Sequence, residues 1–153
     1  MRRQEGGDGG GAAPLEGPPQ GVPAARLVHT VSSIDVDSVQ IHFASYFRWM
    51  DMGQGALMKV LGHPLLDVFA SGYAAPTADV RCSYLRPVMH GDELSVASWV
   101  AETGRTSFVI RHRFECEGEV VAEGRITHVW IATGPPQRST PLPDWLRAAS
   151  ADG

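Results

Sequence analysis

Only one long stretch of the chain repeats apolar residues at helical spacing. Phe43, Phe47, Met50, Gln54, Leu57 and Leu61 follow one another at intervals of 4, 3, 4, 3 and 4 residues, the signature of one face of an α-helix. The opposite face is not very polar, since it carries Tyr46, Trp49, Met52 and Met58. Gly53 and Gly55 lie within the same stretch, and each costs about 1 kcal/mol of helix propensity relative to Ala. A helix that is apolar nearly all round and holds glycines is predicted to be enclosed by close-packed structure. Gly62 and Pro64 mark its end.

On either side of this helix the pattern is β. Leu27, Val28, Val31 and Ile34 predict a short strand, closed by Ser32-Ser33 and Asp35-Val36-Asp37. From Asp79 to Leu85 the residues alternate, and further strands are predicted over Leu94–Val100, Ser107–Cys116 and Val120–Ala132. The turns between them are His90-Gly91-Asp92, Thr103-Gly104-Arg105 and Glu117-Gly118-Glu119. Short turns between consecutive strands predict an antiparallel meander. Pro141 to Leu146 reads as a short terminal helix. The fold class is therefore α+β: an antiparallel sheet of about five strands wrapped over one long central helix.

Composition narrows the functional classes. The chain has 153 residues, with 13 Lys+Arg against 17 Asp+Glu and a net charge of −4. That balance offers no basic footprint for nucleic acid or an anionic membrane, and no apolar run is long enough to span a bilayer. Residues 1–25 hold seven glycines and four prolines, a composition that cannot offset its own ordering entropy. They are expected to form a disordered tail rather than a signal peptide, because the Gly-rich run after Arg2 and Arg3 is no apolar h-region. The folded domain is expected over residues 26–148, with a flexible C-terminus at 149–153 and a cytoplasmic location. Cys82 and Cys116 read as free, buried thiols on strands, and His112 reads with Arg111 and Arg113 as part of a charged strand face.

The segment from Asp35 to Met50 carries the candidate chemistry. It places a carboxylate on a loop a few residues before the start of a buried helix. Such a start has unpaired N–H groups and a partial positive charge, which suits it to stabilising an oxyanion. A carboxylate facing these amides across a carbonyl group makes a workable acyl-transfer site. Asp37 has an alternative reading as a turn or capping residue. The Asp-x-Asp pair lacks the further oxygen ligands a metal site needs.

These residues resemble a known family. Asp-x-Asp followed by His42-Phe43-Ala44-Ser45-Tyr46-Phe47-Arg48-Trp49-Met50 is similar to the motif of 4-hydroxybenzoyl-CoA thioesterases and related acyl-CoA thioesterases of the hotdog fold. The segments 81–87, 90–94, 104–108, 122–124 and 127–129 match in order and spacing, so the resemblance spans about residues 27–146. It implies Asp37 as nucleophile or general base, and the Phe43 backbone N–H as the donor polarising the thioester carbonyl. Further implied are His42 near the reacting group, Tyr46 and Arg86 at the acyl pocket, and Arg105 with Thr106 and Ser107 on the nucleotide phosphates. The family implies no metal and no cofactor. It also implies an acyl-CoA or acyl-carrier-protein substrate, and a homodimer or homotetramer with its site at the subunit boundary. Two departures stand out: the loop from Asp37 to the helix is one residue shorter than in relatives, and His42 precedes the position some relatives give to a histidine. The same scaffold also serves two other readings, a non-catalytic acyl-CoA-binding module and a dehydratase or hydratase of acyl thioesters.

Overall fold

The computed structural model describes residues 16–37 and 40–152, and for Asp37 and Gln40 only the backbone is described. The first 15 residues of the expected tail, and Gly153, lie outside the described residues. In chain order the elements are β1 (Ala24–Thr30), β2 (Val36–Asp37), β3 (Gln40–Ile41), α1 (Phe43–Val60), α2 (Leu65–Ala70), β4 (Tyr73–Ala74) and β5 (Thr77–Tyr84). There follow β6 (Glu93–Thr103), β7 (Ser107–Cys116), β8 (Glu119–Val129), β9 (Ile131–Ala132), β10 (Arg138–Ser139) and α3 (Asp144–Ala148). The main sheet has five antiparallel strands in the order β1-β6-β7-β8-β5. It curls over α1 and has register irregularities at Thr77/Asp79, Val100/Glu102 and Phe114/Glu115, the kind of bulge that lets a sheet bend. This is the hotdog arrangement, one long helix wrapped by an antiparallel sheet.

The sheet departs from a simple meander at one step. β5 pairs with β8 rather than with β6, because residues 85–92 cross the end of the sheet instead of turning back. The crossing is pinned at both ends. Leu85 and Arg86 donate to the Val121 carbonyl at 2.9 and 3.1 Å, while Gly91 N–H reaches Val31 O at 2.9 Å and Val31 N–H reaches Asp92 O at 2.8 Å. β1 also ends earlier than the apolar pattern predicts. Val31 is buried beyond its end, and Ile34 stands exposed on the following turn.

The helix is buried along a stripe rotated from the one its spacing suggests. Tyr46, Trp49, Met50, Gly53, Gln54, Leu57 and Met58 face inward, whereas Phe43 is 60% exposed and Phe47 38% exposed. Two glycines set the helix–sheet distance. A Cβ on Gly53 would overlap the Ser98 hydroxyl, and one on Gly124 would overlap the Met50 sulfur. Two apolar clusters fill the interlayer. One is built around Tyr46, Trp49, Met50 and Phe114, the other around Leu57, Phe108, Ile110 and Trp130. His112 corrects a sequence expectation: it is fully buried and points at the helix rather than lying on a charged face. Past residue 148, Ala149 and Ser150 are buried and Ala151 N–H donates to Val100 O at 3.0 Å. Among the described residues no helix is long and apolar enough to cross a membrane.

Candidate active site

The stretch between the Asp-x-Asp pair and the helix is a small hairpin. Val36 pairs with Ile41 and Asp37 with Gln40, and the residues between them, Ser38 and Val39, lie outside the described residues. The base of the hairpin is closed by a further rung, His42 N–H to Asp35 O at 2.8 Å. Asp37 therefore sits two rungs above the residue that caps the helix.

His42 is that cap. Its backbone is extended, and its Nδ1 accepts the Ala44 N–H at 3.2 Å; the ring stacks on Phe43 at 4.7 Å. Ser45 N–H donates to His42 O at 2.9 Å. Two of the first helical amides are thus occupied. Among the described residues no acceptor takes the Phe43 N–H, which leaves one donor open at the positive end of an 18-residue helix.

A cavity of about 310 Å³ opens beside this helix start, lined by Ile41, Phe43, Tyr46, Tyr84, Leu85, Arg86, Pro87 and Val88. Three of the expected site residues, Phe43, Tyr46 and Arg86, meet there. Tyr46 packs edge-on to Tyr84 at 5.1 Å and to Phe114 at 5.2 Å. Burial, with smaller contributions from Cys82, Tyr84 and Cys116, pushes its phenol up to about 12, so at neutral pH it is a hydroxyl. Arg86 is paired with Glu119 at the rim. Cys82, close to this end of β5, has its thiol pushed up to about 11 by burial, which keeps it protonated and unreactive.

Arg105, Thr106 and Ser107 are not part of this cavity. Arg105 and Thr106 lie in the β6–β7 turn and Ser107 opens β7; Arg105 O accepts the Leu142 N–H and Thr106 O accepts the Trp130 N–H. Along β7 the cavity lies level with Phe114, which is opposite Ala122, itself opposite Tyr84; the turn adjoins Ser107. Seven residues of strand separate the two levels, roughly 23 Å. A second cavity, of about 380 Å³ and lined in part by His63, Tyr73, Trp130 and Trp145, also lies away from the helix start. It holds none of the expected site residues.

Sequence reasoning did not single out Asp35 as a structural centre. The residue is 2% exposed. Its carboxylate accepts from His29 Nε2 at 2.9 Å, Ser32 N–H at 2.8 Å, the Ser32 hydroxyl at 3.1 Å and Arg48 Nη2 at 3.2 Å. Burial alone would raise its pKa, but the bonds from His29 and Ser32 outweigh it and hold the carboxyl below its ordinary value. Its partners lie 6, 3 and 13 residues away, a spread with no local sequence signature.

Comparison with known proteins speaks to the family and the fold. The 1,4-dihydroxy-2-naphthoyl-CoA hydrolase of Synechococcus sp. (strain WH7803) is 32% identical over 137 residues, covering 81% of this chain and 89% of that protein. The solved 1,4-dihydroxy-2-naphthoyl-CoA thioesterase of Synechocystis superposes with a TM-score of 0.74 at 18% identity, covering 82% of this chain and 94% of that one. A Staphylococcus aureus protein solved in complex with CoA gives a TM-score of 0.74 at 17% identity, with 84% and 82% covered. At those identities the two structures speak to the fold alone. The family model described as Thioesterase-like superfamily matches residues 25–150, most of this chain, and the chain belongs to that superfamily.

Proposed function

We propose that this protein hydrolyses an acyl-CoA or acyl-carrier-protein thioester, with Asp37 as nucleophile or general base and the Phe43 N–H as oxyanion donor. The observation that carries the reading is the Phe43 amide, which no acceptor among the described residues takes, on a residue that lines the aromatic cavity and follows the helix cap two hairpin rungs from Asp37. The thioester carbonyl oxygen accepts that N–H, and negative charge develops where the helix dipole is positive. Asp37 then attacks the carbonyl carbon and expels the thiolate, leaving an anhydride that water cleaves. Alternatively it takes a proton from a water that attacks directly. Both routes end in a carboxylic acid and a free thiol.

His42 serves this site as the helix cap that holds the first amides in place, and Tyr46 and Arg86 border the acyl group. Phe43, Tyr46 and Tyr84 present three aromatic rings to the cavity, which supports a planar aromatic acyl group of the kind named for the Synechococcus relative. Arg105, Thr106 and Ser107 take the nucleotide phosphates of CoA. With roughly 23 Å of strand between the two ends of the sheet, they do so for a substrate held by a neighbouring subunit.

The assembly is a homodimer or a dimer of dimers. β5 pairs on one side only, nearly all its residues are exposed, and Phe43, Phe47 and Met52 stand uncovered on α1; an unpaired edge beside apolar surface invites a second copy. Free cysteines support a cytoplasmic location. The domain itself begins ahead of the expected residue 26, because Ala24 and Ala25 pair with β6 and Ala25 is buried.

The test is thiol release from aromatic and aliphatic acyl-CoAs by the wild type and by Asp37→Asn. Turnover by the wild type, reduced at least about 100-fold in the variant, is the expected result, in line with the loss of a catalytic group. Equal turnover by the two proteins would remove Asp37 from the mechanism. Tight acyl-CoA binding without thiol release would instead identify a binding module.

A further inference from the structure

Asp35 makes more bonds than a turn needs. One acceptor for Ser32 N–H would fix the turn, yet the carboxylate is also met by the Ser32 hydroxyl, His29 of β1 and Arg48 of α1. The backbone of the same residue adds two further ties, since Asp35 O accepts the His42 N–H at 2.8 Å and the Ser45 hydroxyl at 3.0 Å. Arg48 Nη2 donates to Ser45 Oγ as well, at 2.9 Å, which closes the network onto the first turn of the helix. His29 is held from its other side by Trp49, at a ring distance of 5.2 Å. A buried ion pair is a poor way to gain stability, because desolvation offsets most of the attraction. What such a network supplies is a single geometry.

We infer that Asp35 is a positioning residue for the proposed hydrolysis, tying β1 and the first turn of α1 to the base of the hairpin that carries Asp37. The inference rests on the reading of Asp37 and the Phe43 amide given above. Those two groups belong to different elements, a two-stranded hairpin and a helix. Their covalent link is the five-residue stretch 38–42, and among the described residues the hairpin's own pairs are Val36 with Ile41 and Asp37 with Gln40. Asp35 removes that freedom by bonding, through one residue, to the helix cap, the helix side chains and the preceding strand. A displacement of about 1 Å at a reacting pair is enough to cost about 100-fold in rate.

The experiment compares Asp35→Asn with wild type at a temperature where both are folded. Asn keeps the shape but turns an NH2 group against donors that need an acceptor. The expected result is a kcat lowered about 10- to 100-fold with KM within about 3-fold, together with faster hydrogen exchange at the His42 amide and unchanged exchange at Leu57. Ser32→Ala, which deletes one donor and is milder for folding, should lower kcat by a smaller factor in the same direction. Arg48→Gln provides a third variant should Asp35→Asn fail to fold. Unchanged kcat in variants with a protected fold overturns the proposal, as does exchange that rises uniformly along α1. Failure of the site reading looks different: Asp37→Asn would then turn over like wild type while exchange at His42 still rises in Asp35→Asn.

Discussion

His112 Nδ1 and the Ser98 hydroxyl lie 2.7 Å apart in the layer between helix and sheet, directly beneath Gly53. Both residues are fully buried. Among the described residues the other ring nitrogen, Nε2, is buried without a hydrogen-bond partner. The imidazole therefore sits where a proton would have no counter-charge. Burial, with the neighbouring His128 as a smaller cause, pushes its pKa down to about 3.

That depression makes the protein acid-sensitive. An unfolded histidine titrates near 6.5, so between about 6.5 and about 3 the unfolded chain binds a proton that the folded one refuses. Stability is complete above the upper value and falls with pH through this window, by about 1.4 kcal/mol for each pH unit. His128, whose pKa is also lowered chiefly by burial, acts in the same direction. Urea unfolding at pH 7 and pH 5 should therefore differ by about 2 kcal/mol from His112 alone. His112→Gln should flatten the dependence, and an unchanged slope would show that this ring is not the sensor.

Two glycines in one helix should respond to Ala with opposite signs. At Gly53 the added methyl collides with Ser98 and comes within 3.0 Å of His112 Nδ1, so the helix must lift off the sheet. Overpacking of that kind costs about 1–3 kcal/mol, more than the propensity gained. At Gly55 nothing lies within 4 Å of the new Cβ, so Gly55→Ala should keep up to about 1 kcal/mol of helix propensity. Chemical denaturation of the two variants checks the pair. A Gly53→Ala protein as stable as wild type would refute the close approach.

The exposed edge predicts its own disruption. Val80 lies on β5, is 39% exposed and belongs to neither buried cluster. Val80→Asp puts a charge on this edge opposite Ile126 of a buried cluster, so thermal stability should fall through that contact as well as through lost assembly. Light scattering should then show a monomer where wild type gives a dimer, and thiol release should fall with it. A dimer that survives Val80→Asp would place the subunit contact elsewhere.

The elements legible in the sequence are those with a repeating signal. The start of α1 at Phe43 and the span Ser107–Cys116 of β7 follow from periodicity and turn residues alone. The inward face of the helix was not legible, because Phe43-Phe47-Met50 and Tyr46-Trp49-Met50 are both stripes at helical spacing. Only the positions of the sheet and its glycines choose between them. His112 did carry a signal: Phe108, Ile110 and Phe114 share its strand parity, and successive strand residues point to opposite faces, which separates it from Arg111 and Arg113. The position of β5 beside β8 had none, since strand order is not written in periodicity. The same holds for Asp35, whose partners come together only in three dimensions.

Arg105 provides the last prediction, and its place in the fold gives the expected effect an unusual form. The side chain is exposed and, among the described residues, has no ion pair, so removing it should not harm the fold. If it contacts a phosphate of CoA, Arg105→Ala loses an exposed charge contact worth about 1 kcal/mol, or about 5-fold in KM, with kcat unchanged. Acyl-pantetheine substrates, which lack the nucleotide, should show no change at all. With the turn roughly 23 Å of strand from the Phe43 cavity, the contact proposed above is one between subunits. Mixing Arg105→Ala with Asp37→Asn should therefore produce some hybrid dimers in which one site carries both defects and the other neither. Those hybrids should regain wild-type KM at the intact site, whereas a contact within one chain would leave every active site with the raised value.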